Sequence, residues 1–190
     1  LSSAASDVYK RQVYEITKEP RKKQEEKTKQ TAYEKVFEAA DSFEEMDYDK
    51  KELETYISDN GYKPSIAYID GIVKALDGDK NVVGYVITVT DKEGYGGNIQ
   101  FTIGIQSDGT INGVSFLSIE ETAGVGMKAK ENKFKSQFEG RKVHSFEYTK
   151  NGATADNQID AISGATITTN AVTNGVNTGI LAYKFVMEAN

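Results

Sequence analysis

Apolar and polar or small positions alternate along "NIQFTIGI", where Ile99, Phe101, Ile103 and Ile105 take every second place. A period of two puts all four on one face of a pleated strand and predicts a strand half buried against a core. Three neighbouring stretches also read as strands: "SIAYIDGIVKAL", "VVGYVITVT" and "TINGVSFLSI". The links between them are short and turn-forming: Asp77-Gly78-Asp79, "DKEGYGG" and Ser107-Asp108-Gly109. Such links favour antiparallel neighbours, so the pattern predicts a four-stranded meander from about Ser65 to Ile119.

On either side of this block the period lengthens to that of a helix. Residues 17–46 predict one helix, with Thr17 as a cap and Pro20 in the first turn. Its first half is densely charged, and its second half carries a stripe of Tyr33, Val36, Phe37, Ala40 and Phe43, read as core packing. A short helix "DKKELETYISDN" comes next, stopped by Asn60-Gly61. "NKFKSQFEG" predicts another, with Phe134 and Phe138 inward and Gly140 just past its end. The last helix, "TTNAVTNGVNTGILAYKFVMEA", sets Val172, Val176, Ile180, Tyr183 and Met187 beside a small-residue stripe of Ala171, Gly175, Gly179 and Ala182. Glycine costs helix stability, so two glycines in register predict a helix pressed closely onto the sheet. The fold class expected is α+β, an antiparallel sheet packed by helices. Three regions are expected. Residues 1–12 are a tail foreign to the domain, because "SSAASDVYKRQ" resembles text that recurs at the ends of metagenomic reading frames. Residues 13–60 are an N-terminal helical segment, and 61–190 the principal domain.

Composition narrows the chemistry. The chain has 190 residues, a net charge of −6, one histidine and 0 cysteines. The acidic balance argues against a nucleic-acid partner, which wants a basic face. Without cysteine there is no thiolate zinc site, iron–sulfur cluster, disulfide or thiol nucleophile. With His144 alone, neither a Ser-His-Asp triad nor a multi-histidine metal site can be assembled, and His144 reads as a surface or strand residue. No run reaches the roughly 20 apolar residues of a membrane-spanning helix.

What remains is "DAISGATITT", Asp160 to Thr169, several small hydroxyl residues before a helix and no lysine among them. A nucleotide-hydrolase phosphate loop would need a Gly-Lys-Ser/Thr ending. Gly164 and Ala165 clear space around the hydroxyl of Thr166, and a helix N-terminus offers unpaired N–H groups and the positive end of the dipole. The segment is therefore suited to holding a phosphate without a cation, although the same residues could serve only as turns and a cap. Two further stretches, "GYGG" with Tyr95 and "EETAGVG" from Glu120 to Gly126, are glycine-rich and stand at strand ends, where backbone can approach a flat ligand. Glu120 and Glu121 would face opposite sides of a strand, so they do not form a catalytic pair.

In order, "GYGGNIQFTIGIQSDGTINGVSFLSIEETAGVG", "NKFKSQFEG" and "DAISGAT" resemble the G subunit of the Rnf electron-transport complex. They are similar, less closely, to the C subunit of the sodium-pumping NADH:quinone oxidoreductase. The resemblance runs from about residue 13 to 190 and is strongest after Gly94. It implies an FMN-binding domain on the extracytoplasmic side of a bacterial cell membrane, held by one N-terminal helix that would precede this chain. It implies a covalent FMN, joined by a phosphoester to Thr166 by a flavin transferase that uses FAD, and partners in the other subunits of a membrane redox complex. Ser163, Gly164, Ala165 and Thr169 would surround the attachment, with Thr168 and Thr169 capping the helix or bonding phosphate oxygens. Asp160 would serve a turn or transferase recognition. Glu121, Thr122, Gly124 and Gly126 would line the flavin, with Tyr95 nearby. The family's loop has Pro and Leu where this chain has Ala123 and Val125, which bears on loop rigidity more than on the ligand. Two other readings stand beside this one: a free-standing flavinylated electron-transfer or reductase domain, and a cofactor-free surface binding module in which Ser-Gly-Ala-Thr is only a helix cap.

Overall fold

Five strands form one antiparallel sheet in the order β1-β2-β3-β4-β5. They are β1 (Ser42–Glu45), β2 (Ala67–Leu76), β3 (Val82–Asp91), β4 (Ile99–Gln106) and β5 (Ile111–Ile119). The computed structural model describes residues 3–119 and 126–190, and side chains from residue 19 onward. The helices are α1 (Ser3–Val36), α2 (Lys50–Asp59), α3 (Asn132–Lys135) and α4 (Thr166–Glu188). A 3-10 helix, Gly126–Lys130, precedes α3, and a small parallel pair, β6 (Glu147–Thr149) with β7 (Gln158–Asp160), precedes α4. The structure is α+β, and β2–β5 are the expected meander. Among the described residues, no helix is long and apolar enough to cross a membrane.

The chain divides into two units, residues 1–31 and 32–190. The second holds both hydrophobic clusters. The larger lies between the sheet and α4, where Ile87, Val89, Ile99, Phe101, Ile103 and Ile105 meet Val172, Val176 and Ile180. The stripe of Ala171, Gly175, Gly179 and Ala182 is buried against the sheet, as its spacing predicts. A β-carbon built on Gly175 would stand 2.6 Å from Phe101 Cζ, and one on Gly179 would overlap Ile103 Cδ1. The second cluster covers the other face: Val36 and Phe37 pack on Val73, Ala75 and Val86. Here Gly84 and Gly104 allow the approach, since a side chain on Gly104 would meet the Val36 carbonyl and one on Gly84 the Phe37 ring.

The helix expected over 17–46 runs instead from Ser3 to Val36, with Pro20 inside it rather than in its first turn, and Ser42 to Glu45 form strand β1. The reason is the free edge of β2. Asp41 N–H donates to the Leu76 carbonyl at 2.8 Å, and Ser42 to Glu45 then pair with Leu76 to Val73, satisfying backbone groups that would otherwise face solvent. Phe43 still reaches Tyr33, with ring centroids 5.5 Å apart, but from strand to helix rather than along one helix face.

Candidate functional site

α4 runs in the same direction as β4. Gly175 lies on Phe101, Gly179 on Ile103, and the Tyr183 hydroxyl donates to the Ser107 carbonyl at 2.8 Å. The first turn of α4 therefore lies toward the end of the sheet where β4 begins. Ile99 there pairs with Asp91 on one side and Ile119 on the other. Three segments singled out by sequence thus come to one end: the 92–98 link with Tyr95, the exit of β5 toward residue 120, and the Ser-Gly-Ala-Thr turn. Tyr95 is exposed there. Asn174, two turns into α4, donates to Asp91 Oδ2 at 2.9 Å and ties helix to strand end.

The turn is built from backbone. Ala161 N–H donates to the Thr149 carbonyl, and Ala165 N–H to the Ile162 carbonyl at 3.0 Å. Gly164 has φ +74, with open space where a β-carbon would stand, so glycine is needed for conformation and not for room. Ala165 occupies the cap position, and no side chain caps α4. Thr166 is half-buried, Ser163 and Ile167 are exposed, and Thr168 and Thr169 are fully buried. Thr169 braces the turn from within: its hydroxyl donates to the Ala165 carbonyl at 2.8 Å and accepts from Ile162 N–H at 3.0 Å. The exposed parts of the turn are therefore Ser163, Gly164 and the start of the helix.

Lys128, in the 3-10 helix, donates from Nζ to the Ser163 carbonyl at 3.5 Å. It lines a cleft of about 540 Å³ with Lys133, Lys150, Glu131, Asp160 and Ser163. Asp160 is held at three points. Its N–H donates to Gln137 Oε1, its carbonyl accepts from Gln137 Nε2, and its Oδ1 accepts from Ala153 N–H at 2.7 Å. Glu121, Thr122 and Gly124 lie outside the described residues, and Gly126 opens the 3-10 helix.

Lys128, Gln137, Asp91 and Asn177 were not singled out by sequence. Asn177 clamps the Phe146 backbone, accepting from its N–H at 2.7 Å and donating to its carbonyl at 2.9 Å. An asparagine on the inner face of an otherwise apolar helix is the signal that marks it. Asp91 is buried, and burial raises its carboxyl above the ordinary value, against the bonds from Asn174 and from Glu93 N–H. His144 is exposed, with Nδ1 3.1 Å from Lys184 Nζ. Among the described residues no group of three or more His, Asp or Glu side chains could hold a metal.

Residues 94–180 match the model of the FMN-binding domain family. The chain is 34% identical over 136 residues to the G subunit of the Na(+)-translocating ferredoxin:NAD(+) oxidoreductase complex of Acetobacterium woodii, a match covering 70% of this chain and 64% of that protein. It is 37% identical over 125 residues to the G subunit of the ion-translocating oxidoreductase complex of Methanosarcina acetivorans, covering 65% and 61%. The crystal structure of Shewanella oneidensis NqrC shares the fold, with a TM-score of 0.52 at 18% identity over 76% of each chain. The chain spans between about half and two thirds of the length of the curated relatives it matches.

Proposed function

We propose that the chain, whose residues 94–180 match the FMN-binding domain family, is the flavin-carrying electron-transfer subunit of an ion-translocating redox complex, with FMN esterified to Thr166. The single observation that carries this reading is the placement of the Ser-Gly-Ala-Thr turn. It brings the hydroxyl of Thr166 to the start of an uncapped 23-residue helix, toward the sheet end where the 92–98 link enters β4 and where β5 ends at Ile119. The first-turn amides of α4 suit the single negative charge of a phosphodiester, and Thr166 itself is only half-buried.

When bound, FMN supplies one- and two-electron chemistry, and the protein supplies position and electrostatics. The chain's own part is a tether and a fixed backbone cradle. Ser163, Gly164 and Ala165 shape the turn, Thr169 holds it from below, and the Asp91–Asn174 bond fixes α4 against the strand end. Glu121, Thr122, Gly124 and Gly126 would line the flavin beside Tyr95. The domain would stand on the extracytoplasmic side of its membrane, where a covalent bond prevents loss of the flavin to dilute medium.

Thr166 Oγ1 would take the FMN phosphoryl group from FAD in a flavin transferase. The Oγ1–P bond forms as the pyrophosphate P–O bond breaks, AMP leaves with the electron pair, and the hydroxyl proton passes to the transferase. Co-expression with that enzyme should add the mass of FMN less one water to the wild type and nothing to Thr166→Val, which keeps shape but lacks the nucleophile. A modified Val variant would refute the acceptor assignment, and an unmodified wild type beside an active transferase would refute the ester itself.

A further inference from the structure

Lys128 joins the 3-10 helix to the Ser-Gly-Ala-Thr turn. It lies two residues beyond Gly126, at the close of the glycine-rich loop, and its Nζ points to the carbonyl of Ser163, three residues before Thr166. At 3.5 Å that contact is long for a hydrogen bond, whose ordinary length is about 2.9 Å. An exposed lysine gains little from one long contact to a neutral carbonyl, and holding its side chain there costs rotamer entropy. The ammonium has three donors, so a second acceptor can be taken without giving up the first. The surrounding charge favours an anion: three lysines, Lys128, Lys133 and Lys150, face two carboxylates, Glu131 and Asp160. Asp160 already accepts from the Ala153 amide. Lys128 is the one of the three whose bond to the backbone of the Ser-Gly-Ala-Thr turn is seen among the described residues.

We propose that Lys128 is a positioning residue for the phosphodiester at Thr166, its ammonium bridging the Ser163 carbonyl and a non-ester phosphate oxygen. This rests on the ester reading above and extends it to a residue outside the Ser-Gly-Ala-Thr string. The uncapped first turn of α4 takes part of the charge, and Lys128 takes the rest through a charge-assisted bond. The 3-10 helix that carries Lys128 is then fastened to the attached phosphate by the same contact.

The test compares wild type, Lys128→Met, Lys128→Arg and Lys150→Met, each co-expressed with an active flavin transferase. Two quantities are read: the fraction carrying the FMN mass at a fixed short time, and the phosphorus-31 shift of the purified phosphodiester. Loss of one charge-assisted bond should slow modification of Lys128→Met roughly tenfold and move the phosphorus resonance. Lys128→Arg, which keeps the charge and donors, should stay near wild type in both, and Lys150→Met, which removes cleft charge but no bond to the turn, should slow modification less than Lys128→Met and leave the phosphorus resonance in place. A Met variant with wild-type rate and an unmoved resonance overturns the proposal. So does an equal effect of Lys128→Met and Lys150→Met, which would mean diffuse cleft charge, and so does an Arg variant as impaired as the Met one. If the wild type itself stays unmodified, the ester reading falls and this inference with it.

Discussion

Asp91 shows what a single residue contributes where sequence spacing is silent. It ends β3, is fully buried, and accepts from Asn174 Nδ2 and from Glu93 N–H. Burial outweighs those bonds, so its carboxyl titrates above the ordinary 3.8. The folded chain then keeps a proton that the unfolded chain has lost. The stability owed to this group is full below 3.8 and is lost as pH rises through the folded value. Asn at this position does not titrate. The stability of wild type minus that of Asp91→Asn should therefore fall as pH climbs from below 3.8 toward neutrality, tracked by thermal melting at a series of pH values. A difference that stays level would show that Asp91 titrates as an exposed carboxyl does. Thr169 makes the matching point about legibility. Ser and Thr before a helix can cap it, bind a phosphate, or bond back to the carbonyl four residues earlier, and one composition serves all three. The sequence placed Thr169 in the site, and only the fold shows its hydroxyl turned onto the Ala165 carbonyl beneath the turn.

At the scale of elements, the meander and α4 were legible because their signals are local. Alternation in β4, short links between strands, and a glycine stripe in register with an apolar one each arise from a few neighbouring residues. β1 and the parallel pair β6–β7 were not legible, since they are short and exist only because a distant strand offers an edge. The glycine stripe makes a quantitative claim. Ala at 175 gains up to about 1 kcal/mol of helix propensity, yet its β-carbon would stand 2.6 Å from Phe101 Cζ and 2.9 Å from Cε1 in a closed core. Overpacking of this kind costs about 1–3 kcal/mol, so Gly175→Ala should lose about 1 kcal/mol net, a fall of about 2–4 °C in melting temperature. Phe101→Leu removes the ring edge that the new methyl meets. The double variant should then lose less than the sum of the two singles, and additive losses in that cycle would mean that the helix shifts away from the sheet without touching Phe101.

For the molecule as a whole, the sheet is covered on both faces, and the two covers come from opposite ends of the chain. α4 closes one face, while the end of α1 and the segment after it close the other through Val36 and Phe37. The compact unit begins at residue 32, and within it Val36 and Phe37 lie against Val73, Ala75 and Val86. That packing was hidden from sequence by Gly84 and Gly104, two glycines on strands whose purpose appears only when the Val36 carbonyl and the Phe37 ring are seen against them. Residues 19–31 are exposed along their length, so they contribute little burial to the fold. A chain trimmed to begin at residue 27 keeps nearly three turns of helix ahead of Phe37 and should melt at the temperature of the full chain. A chain trimmed to begin at residue 41 loses Val36 and Phe37, which are 4% and 3% exposed. Deleting one such aromatic side chain costs about 3–5 kcal/mol, so the shorter chain should melt lower by about 10 °C or more. Phe37→Ala in the full chain separates packing from length. If it reproduces most of the loss, the segment acts through its side chains on the sheet; if it melts with wild type, the second cluster contributes nothing and the domain does begin further along.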